Sequence, residues 1–528
     1  MTTHSRREFI ARSIAGGILG TVLLCSCGSP SGKSPAPAPT PRPTPRNASE
    51  SRLFLAATPT VASQTAVGTP VPGATATPST QPGGARQPNV LLVTIDTLRA
   101  DHIGAYGFTP TTTPTLDRLA SEGVRCDYTL CQLPQTNASH AALLTGLYPS
   151  TNGLKVHMVD HIRPDVQTMA EVFLAAGYQT AGIYSWVSLD PQFCGLNRGF
   201  ETYKGYVLNR SLIFSNPNLE KLSALYRQIK ADVPVVSAAD AALGSSEQIE
   251  ASLDGRADIT NAAVFNWLDA NVHPNSKPFF LWVHYFDPHY PYSPPAGYDH
   301  VLGLKYTGTI DGSVETIHEI ENHQLVPTPA DLARLLELYQ GEIAFTDFQL
   351  GRLLKKLDDG GMLDDTVIAV TGDHGESFGE HDDWTHGLKV YEPEVRVPLL
   401  LRYPRRVPAG VVVEPPVQSI DVMPTLLDLT GITAAKSVQG VSLLPVLNGS
   451  SNGSDRVAFT ELANEAFVSM LTFQEWKLIR NNANGQLQLY HVTDDAAEAT
   501  NLVGEQPQLT NDLSTRLLEL MKYSGVSH

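Results

Sequence analysis

Three short apolar runs, each ending in an acidic residue or a histidine, constrain the fold of this chain more than any other feature. They are NVLLVTID, from Asn89 to Asp96; PFFLWVH, from Pro278 to His284; and TVIAVTGDH, from Thr366 to His374. A run that is apolar without alternation suits a strand covered on both faces, as in a parallel sheet, and its polar group then arrives at the carboxyl end. Helical patterns intervene at Pro114 to Glu122, Asp165 to Ala176, Ala262 to Ala270, Pro329 to Leu357 and Ile420 to Leu429. Strands alternating with helices over about 370 residues predict an α/β fold, a sheet flanked by helices on both faces with its site at the strand ends. No repeat of fixed period is visible. After residue 455 the pattern changes. AFVSMLTFQEWKLIRNNANGQLQLYHVTDD reads as antiparallel strands with a turn at Asn482 to Gly485, and a helix at Leu509 to Met521 closes a small α+β domain over 456–528.

The first 87 residues are not fold material. SRREFI, an apolar stretch from Ile14 to Leu24, and then CSCG resemble a twin-arginine export signal joined to a lipobox, with Cys27 as the lipidated residue after cleavage. The apolar stretch is shorter than the ~20 residues a spanning helix needs. Residues 28–87 are rich in Pro, Ser, Thr, Ala and Gly, a composition that stays solvated and extended and acts as a tether. The chain is therefore expected on the outer face of a membrane, held through lipid. With Asp+Glu at 54 against Lys+Arg at 37, the formal charge of -17 disfavours a global hold on nucleic acid, so any anion site must be local. Cys126 and Cys131 have spacing for one bridge, but no second CxxC or His pair accompanies them to make a zinc site.

Asp96, Asp373 and His374 form a candidate hard or borderline metal set, two carboxylates and an imidazole at strand ends. Each alone also reads as a turn former or helix cap. Thr136 stands at the head of TNASHAALLTG, where a hydroxyl residue reads as an N-cap. Capping and catalysis are compatible there. A helix start offers free N–H groups and the positive end of the dipole to a tetrahedral oxyanion, and a divalent cation would make the hydroxyl nucleophilic.

The segments NVLLVTIDTLRADHIGAYG, TNASHAALLTGLYP, LWVHYFDPHYPYSPP, TGDHGESFGEHDDWTHG, VYEPEVRVPLLL and SIDVMPTLLDLTGI resemble, in order and spacing, the sulfatase family of the alkaline phosphatase superfamily. The resemblance runs from about Asn89 to the C-terminal LYHVTDD and implies a large catalytic domain over 88–455 with the smaller sheet domain behind it. It implies Asp96, Asp373, His374 and Thr136 as ligands of a divalent metal, Ca, Mn, Mg or Zn, with Thr136 the nucleophile. His289 falls where the family has a substrate-binding or proton-donating histidine. His386 falls at or beside the place of a basic group that contacts the leaving group or oxyanion. His140 replaces the family arginine and would orient the nucleophile or bind oxygens on the metal side.

The departures are as informative. The family's Cys or Ser, followed by x-Pro-x-Arg, becomes Thr136, Asn137, Ala138, Ser139 and His140, so no formylglycine is expected. The second Asp of the usual pair is Thr97, and YSWVSLD stands where a Lys-x-His segment is expected. Together these imply a metal-dependent hydrolase of phosphate or sulfate esters, with phosphoesters or phosphonate esters favoured, acting on a small-molecule, lipid or glycan ester. The alternatives are a phosphoethanolamine- or phosphoglycerol-type head-group transferase and a catalytically inactive binding lipoprotein. The intact Asp96, Thr136, Asp373 and His374 set argues against the last. Ser139 reads as a packing or capping residue, and His284 as a satisfied sheet-edge histidine with a second-metal ligand as the alternative. His157 and His381 read as loop residues that could line the cleft, and Phe280 and Trp282 as core.

Overall fold

A computed structural model of the protein describes residues 87–205, 256–463, 466–472 and 475–526; the expected export signal with Cys27, and residues 28–86 of the expected tether, lie outside these. The central sheet is built from β1 (Asn89–Ile95), β2 (Val124–Leu130), β3 (Gln179–Tyr184), β4 (Thr202–Gly205), β5 (Phe279–Tyr285) and β6 (Thr366–Gly372). A small separate pair, β7 (Ser377–Phe378) and β8 (Trp384–Thr385), follows; β9 (Arg396–Arg402), β10 (Val411–Val413) and β11 (Val417–Gln418) complete the large sheet. Its order is β10-β2-β9-β6-β1-β5-β3-β4, with β11 also on β2. β1 is parallel to both β5 and β6, and the antiparallel β9 makes the sheet mixed.

The apolar runs become strands because both of their faces are covered. Val90, Leu92, Phe280, Trp282, Val367 and Ala369 join one buried cluster, and the alternate residues Leu91, Val93, Leu281, Val283, Ile368 and Val370 join another. One face is packed by α2 (Thr136–Thr145), α3 (Met169–Ala175) and α7 (Val422–Thr430), the other by α1 (Pro114–Glu122), α4 (Ala257–Asn271) and α6 (Pro329–Asp359); α5 (Val314–Glu321) adds Ile317 and Ile320 there. Burying each large apolar side chain contributes about 1.5–3 kcal/mol. The two clusters are thus the main support of the strand ends.

Several helix starts differ from the sequence expectation: α4 begins at Ala257 rather than Ala262 and α7 at Val422 rather than Ile420, and at two others the cap gives the reason. The helix expected from Asp165 begins at Met169, because Thr168 caps it: Thr168 Oγ1 accepts from the Glu171 amide at 3.1 Å, and the Glu171 carboxylate accepts from the Thr168 amide at 2.8 Å. Thr136 is the first residue inside α2 and Gln135 takes the cap position, with no side chain capping the helix.

The C-terminal part is a meander of β12 (Val457–Glu461), β13 (Phe467–Thr472), β14 (Trp476–Asn481) and β15 (Leu487–His491), closed by α8 (Pro507–Ser524). Gly485, at φ 71°, completes the turn between β14 and β15, where a side chain would be strained. Leu513, Leu517 and Met521 of α8 pack on Phe459, Met470, Leu478 and Leu489. Ala142 and Ile420 of the large domain join the same cluster. Among the described residues no helix is long and apolar enough to cross a membrane. Cys126, Cys131 and Cys194 are buried and unbridged.

Candidate active site

Register brings the site together. β1 lies between β5 and β6, with Thr94 opposite His284 and Ile95 opposite Gly372, so Asp96 emerges level with Asp373. The Asp96 amide still donates to the Tyr285 carbonyl at 2.9 Å. The chain then turns at Thr97, in the left-handed region at φ 52°, and the Thr97 amide donates to Asp373 Oδ1 at 3.1 Å. The His374 amide donates to the same oxygen at 2.8 Å. One Asp373 oxygen is thereby fixed by backbone while Oδ2 has no hydrogen-bond partner; neither oxygen of Asp96 has one, nor does Thr97 Oγ1.

His374 faces these oxygens in a defined tautomer. Its Nδ1 lies 2.9 Å from the Gly375 carbonyl, which can only accept, so Nδ1 carries the proton and Nε2 presents a lone pair. That Nε2 is 3.6 Å from Asp96 Oδ1, 3.6 Å from Asp373 Oδ2 and 3.4 Å from Thr136 Oγ1. Donor atoms bound to one ion at ~2.1 Å stand ~3–3.5 Å apart. The ligand atoms of Asp96, Asp373 and His374 all lie within 4.8 Å of one another, in a fully buried setting. Burial pushes the Asp96 carboxyl up to about 6, and burial together with Asp96 pushes Asp373 well above the carboxylate range. Two buried carboxylates with orphaned oxygens and a deprotonated imidazole nitrogen fit a divalent cation, with Thr136 at the edge of the same cluster.

Two further histidines lie against this group. His386 has its ring 4.3 Å from that of His374 and 5.1 Å from that of His289. His386 Nδ1 is 2.9 Å from Glu376 Oε1, and although burial works against the charged ring, Glu376 holds its pKa above the ordinary value. His289 is stacked between Phe286 and Tyr290, each with ring centroids 4.6 Å away, and its Nδ1 donates to the Tyr290 carbonyl at 2.6 Å. Burial lowers it to about 4, against the pull of Asp96, so its remaining nitrogen is a neutral acceptor. The structure thus brings Asp96, Thr136, His289, Asp373, His374 and His386 together.

His140, expected to orient Thr136, to bind oxygens on the metal side or to be structural, is tied to the Thr136 backbone. Its Nδ1 donates to the Thr136 carbonyl at 2.7 Å and its Nε2 accepts from Thr94 Oγ1 at 2.9 Å, while Thr94 Oγ1 itself accepts from the Trp282 indole at 3.0 Å. Both ring nitrogens are engaged, and burial keeps the ring neutral. His140 therefore fixes the backbone of Thr136 and has no ring nitrogen left for another partner. It also stands in a second close group with His284 and Asp373.

His284 departs from the expected satisfied sheet edge. It lies on a central strand, its Nε2 has no hydrogen-bond partner, and that nitrogen faces Asp96 Oδ2 at 3.5 Å. Ser139 Oγ donates to the Asp373 carbonyl at 2.5 Å, which ties α2 to the segment carrying Asp373 and His374. His381 stacks on Tyr391, at 3.6 Å between centroids. His157 bonds Asn137. Glu376, three residues after Asp373 in DHGE, is not singled out by the sequence reading. Glu394 was missed as well: its Oε2 accepts from the Gly387, Leu388 and Lys389 amides at 2.7, 3.2 and 3.2 Å, gathering the loop directly after His386.

Comparison with known proteins agrees with this architecture. The family model described as Sulfatase matches residues 88–432, and one described as N-sulphoglucosamine sulphohydrolase, C-terminal, matches residues 379–523. An arylsulfatase of Clostridium perfringens is 27% identical over 454 residues, covering 80% of this chain and 91% of its own. The solved structure of BT4656 with its substrate D-glucosamine-2-N,6-O-disulfate superposes with a TM-score of 0.64 at 21% identity, over 83% of this chain and 98% of that one. A phosphonate monoester hydrolase of Agrobacterium radiobacter gives 0.63 at 22%, over 83% and 96%. At these identities the structural matches speak for the fold.

Proposed function

The chain belongs to the sulfatase family, and we propose that within it this protein is a metal-dependent ester hydrolase whose nucleophile is the unmodified hydroxyl of Thr136, with phosphate diesters or phosphonate esters as the preferred substrates. The observation that carries the reading is the position of Thr136 Oγ1, 3.4 Å from His374 Nε2 at the edge of the buried Asp96, Asp373 and His374 cluster. A divalent cation held by those residues would supply the charge that makes the hydroxyl acidic and offsets the two buried carboxylates.

The chain's own groups account for the rest. Gln135 occupies the cap position, so the Thr136 hydroxyl is not committed to backbone and remains available to attack. His140 and Thr94 hold the first turn of α2 rigid beneath it. His386, paired with Glu376, presents its other ring nitrogen as a proton donor to the leaving alkoxide; His289, with Nδ1 bound to backbone, offers a neutral nitrogen to the incoming water. A threonine ester must be released by a second attack on the central atom, because threonine lacks the geminal hydroxyl through which a formylglycine hydrate can expel its group. Phosphorus accepts such an attack readily, which favours phosphoesters over sulfate esters.

The test is a panel of aryl phosphate mono- and diesters, phosphonate esters and sulfate esters with Mn, Ca, Mg and Zn, run on wild type and Thr136→Ala. Turnover should fall by roughly 10³-fold or more in the variant, and acid-quenched wild type should carry the covalent group on Thr136. Wild-type turnover by Thr136→Ala on every responsive ester would end the reading. Retention of label by an added alcohol, rather than release to water, would favour a head-group transferase. By the same reading the protein works outside the cytoplasm on a lipid anchor at Cys27, and Cys27→Ser should release it from the membrane fraction.

A further inference from the structure

The second residue of α2, Asn137, is fully buried, and its side-chain Nδ2 finds no hydrogen-bond acceptor among the described residues. A buried amide left in that state costs about 1–3 kcal/mol. Its orientation is set by His157, whose Nδ1 lies 3.1 Å from Asn137 Oδ1. With the amide oxygen taken by a ring N–H, both hydrogens of Nδ2 are directed elsewhere. Burial, with the neighbouring His386, lowers His157 to about 4, so its ring is neutral. Asn137 thus follows Thr136 directly in α2 and is bonded to His157.

The polarity of the unsatisfied atoms is complementary. Asp96 and Asp373 present acceptors suited to a cation; at the start of α2, Asn137 Nδ2 is an unsatisfied donor and Gln135 Oε1 an unsatisfied acceptor. Beside it, the first turn of α2 has N–H groups with no carbonyl ahead of them in the helix and no side chain capping them. A tetrahedral ester attacked by Thr136 carries non-bridging oxygens that gain charge in the transition state. A fixed, buried donor on the residue after Thr136 can receive one of them.

We propose that Asn137 is a catalytic residue: its Nδ2 donates to a non-bridging oxygen of the ester attacked by Thr136, and His157 is the positioning residue that holds the amide in that orientation. The proposal rests on Thr136 as the nucleophile. It also accounts for how a site lacking the family arginine, with His140 turned inward, still meets an oxyanion.

The test uses the metal-loaded protein, comparing wild type with Asn137→Ala, Asn137→Asp, His157→Ala and His157→Gln. Three readouts are taken: kcat and KM on the ester most active in the panel, vanadate affinity by calorimetry, and the thermal shift produced by the metal. Asn137→Ala should lower kcat by about 10²–10³-fold, weaken vanadate by ~10-fold or more, and leave the metal shift intact. Asn137→Asp, which keeps the oxygen for His157 but replaces the donor by an acceptor, should be worse than alanine. His157→Gln should retain more activity than His157→Ala. Wild-type kcat and vanadate affinity in Asn137→Ala overturn the proposal. So does a loss of activity in the Asn137 variants that tracks a lost metal shift, because the role is then structural. Thr136→Ala, assayed beside them, separates this outcome from failure of the nucleophile reading: an active Thr136→Ala sinks that reading, whereas an unaltered Asn137→Ala sinks only this one.

Discussion

Replacing Lys477 by methionine should destabilise the protein in a strongly pH-dependent way. Lys477 is fully buried on β14, with Nζ 2.9 Å from Glu392 Oε1 and 3.0 Å from Glu498 Oε1. Burial pushes Glu498 up to about 7 even with Lys477 pulling the other way. Methionine fills the space but removes the cation, and Glu498 must then keep its proton to stay buried. The sign follows from linkage. A carboxyl whose folded pKa is raised gives stability that is present below the unfolded value and lost as pH rises toward the folded one, at about 1.4 kcal/mol per unit. In wild type that loss stops near 7; in the variant, with the folded value higher still, it continues, so the two proteins diverge above pH 7. Urea unfolding of wild type and Lys477→Met at pH 7 and pH 9 should give a difference larger by ~2–3 kcal/mol at the higher pH. Adding Glu498→Gln to the variant should flatten that dependence. Equal destabilisation at both pH values would refute the reasoning.

Two other outcomes follow from the site. Removing divalent metal should abolish turnover and lower the melting temperature, because Asp96 and Asp373 are left as buried uncompensated carboxylates; a cation at one hundred times its Kd should return about 2.7 kcal/mol in a thermal-shift titration, and no shift with Mn, Ca, Mg or Zn would contradict the ligand set. Glu394→Ala should lower kcat by ~10–100-fold while leaving the metal shift unchanged, since Glu394 gathers the three amides after His386 and touches no ligand; Glu394→Gln, which keeps an acceptor, should lose less.

The parts of this molecule that could be read in advance are those where one residue pattern has one physical solution. NVLLVTI, PFFLWV and TVIAV alternate between two apolar faces and could only be central strands. Their register then forces Asp96 and Asp373 to one level whatever the loops do. The start of α3 was also legible in principle, as the Thr168 and Glu171 capping pair, but Asp165 looked as good a beginning. Side-chain nitrogens are a different matter. His140 and His284 both adjoin apolar stretches and both end beside Asp373. Nothing local says that Thr94 and the Thr136 carbonyl engage both nitrogens of the first, leaving the second with a bare Nε2 against Asp96.

The same limit applied to Thr136, whose role turned on whether its hydroxyl capped its own helix. With Gln135 in the cap position, unsatisfied polar atoms surround the cluster: both oxygens of Asp96, Oδ2 of Asp373 and Nε2 of His284, with Nδ2 of Asn137 on the residue after Thr136. Leaving several buried groups unpaired costs about 1–3 kcal/mol each, which the two apolar clusters on either face of the sheet are large enough to carry. A sheet this rigid holds those groups in place before any ligand arrives, so binding a cation and an oxyanion repays desolvation already incurred in folding. Reorganisation during the reaction is correspondingly small.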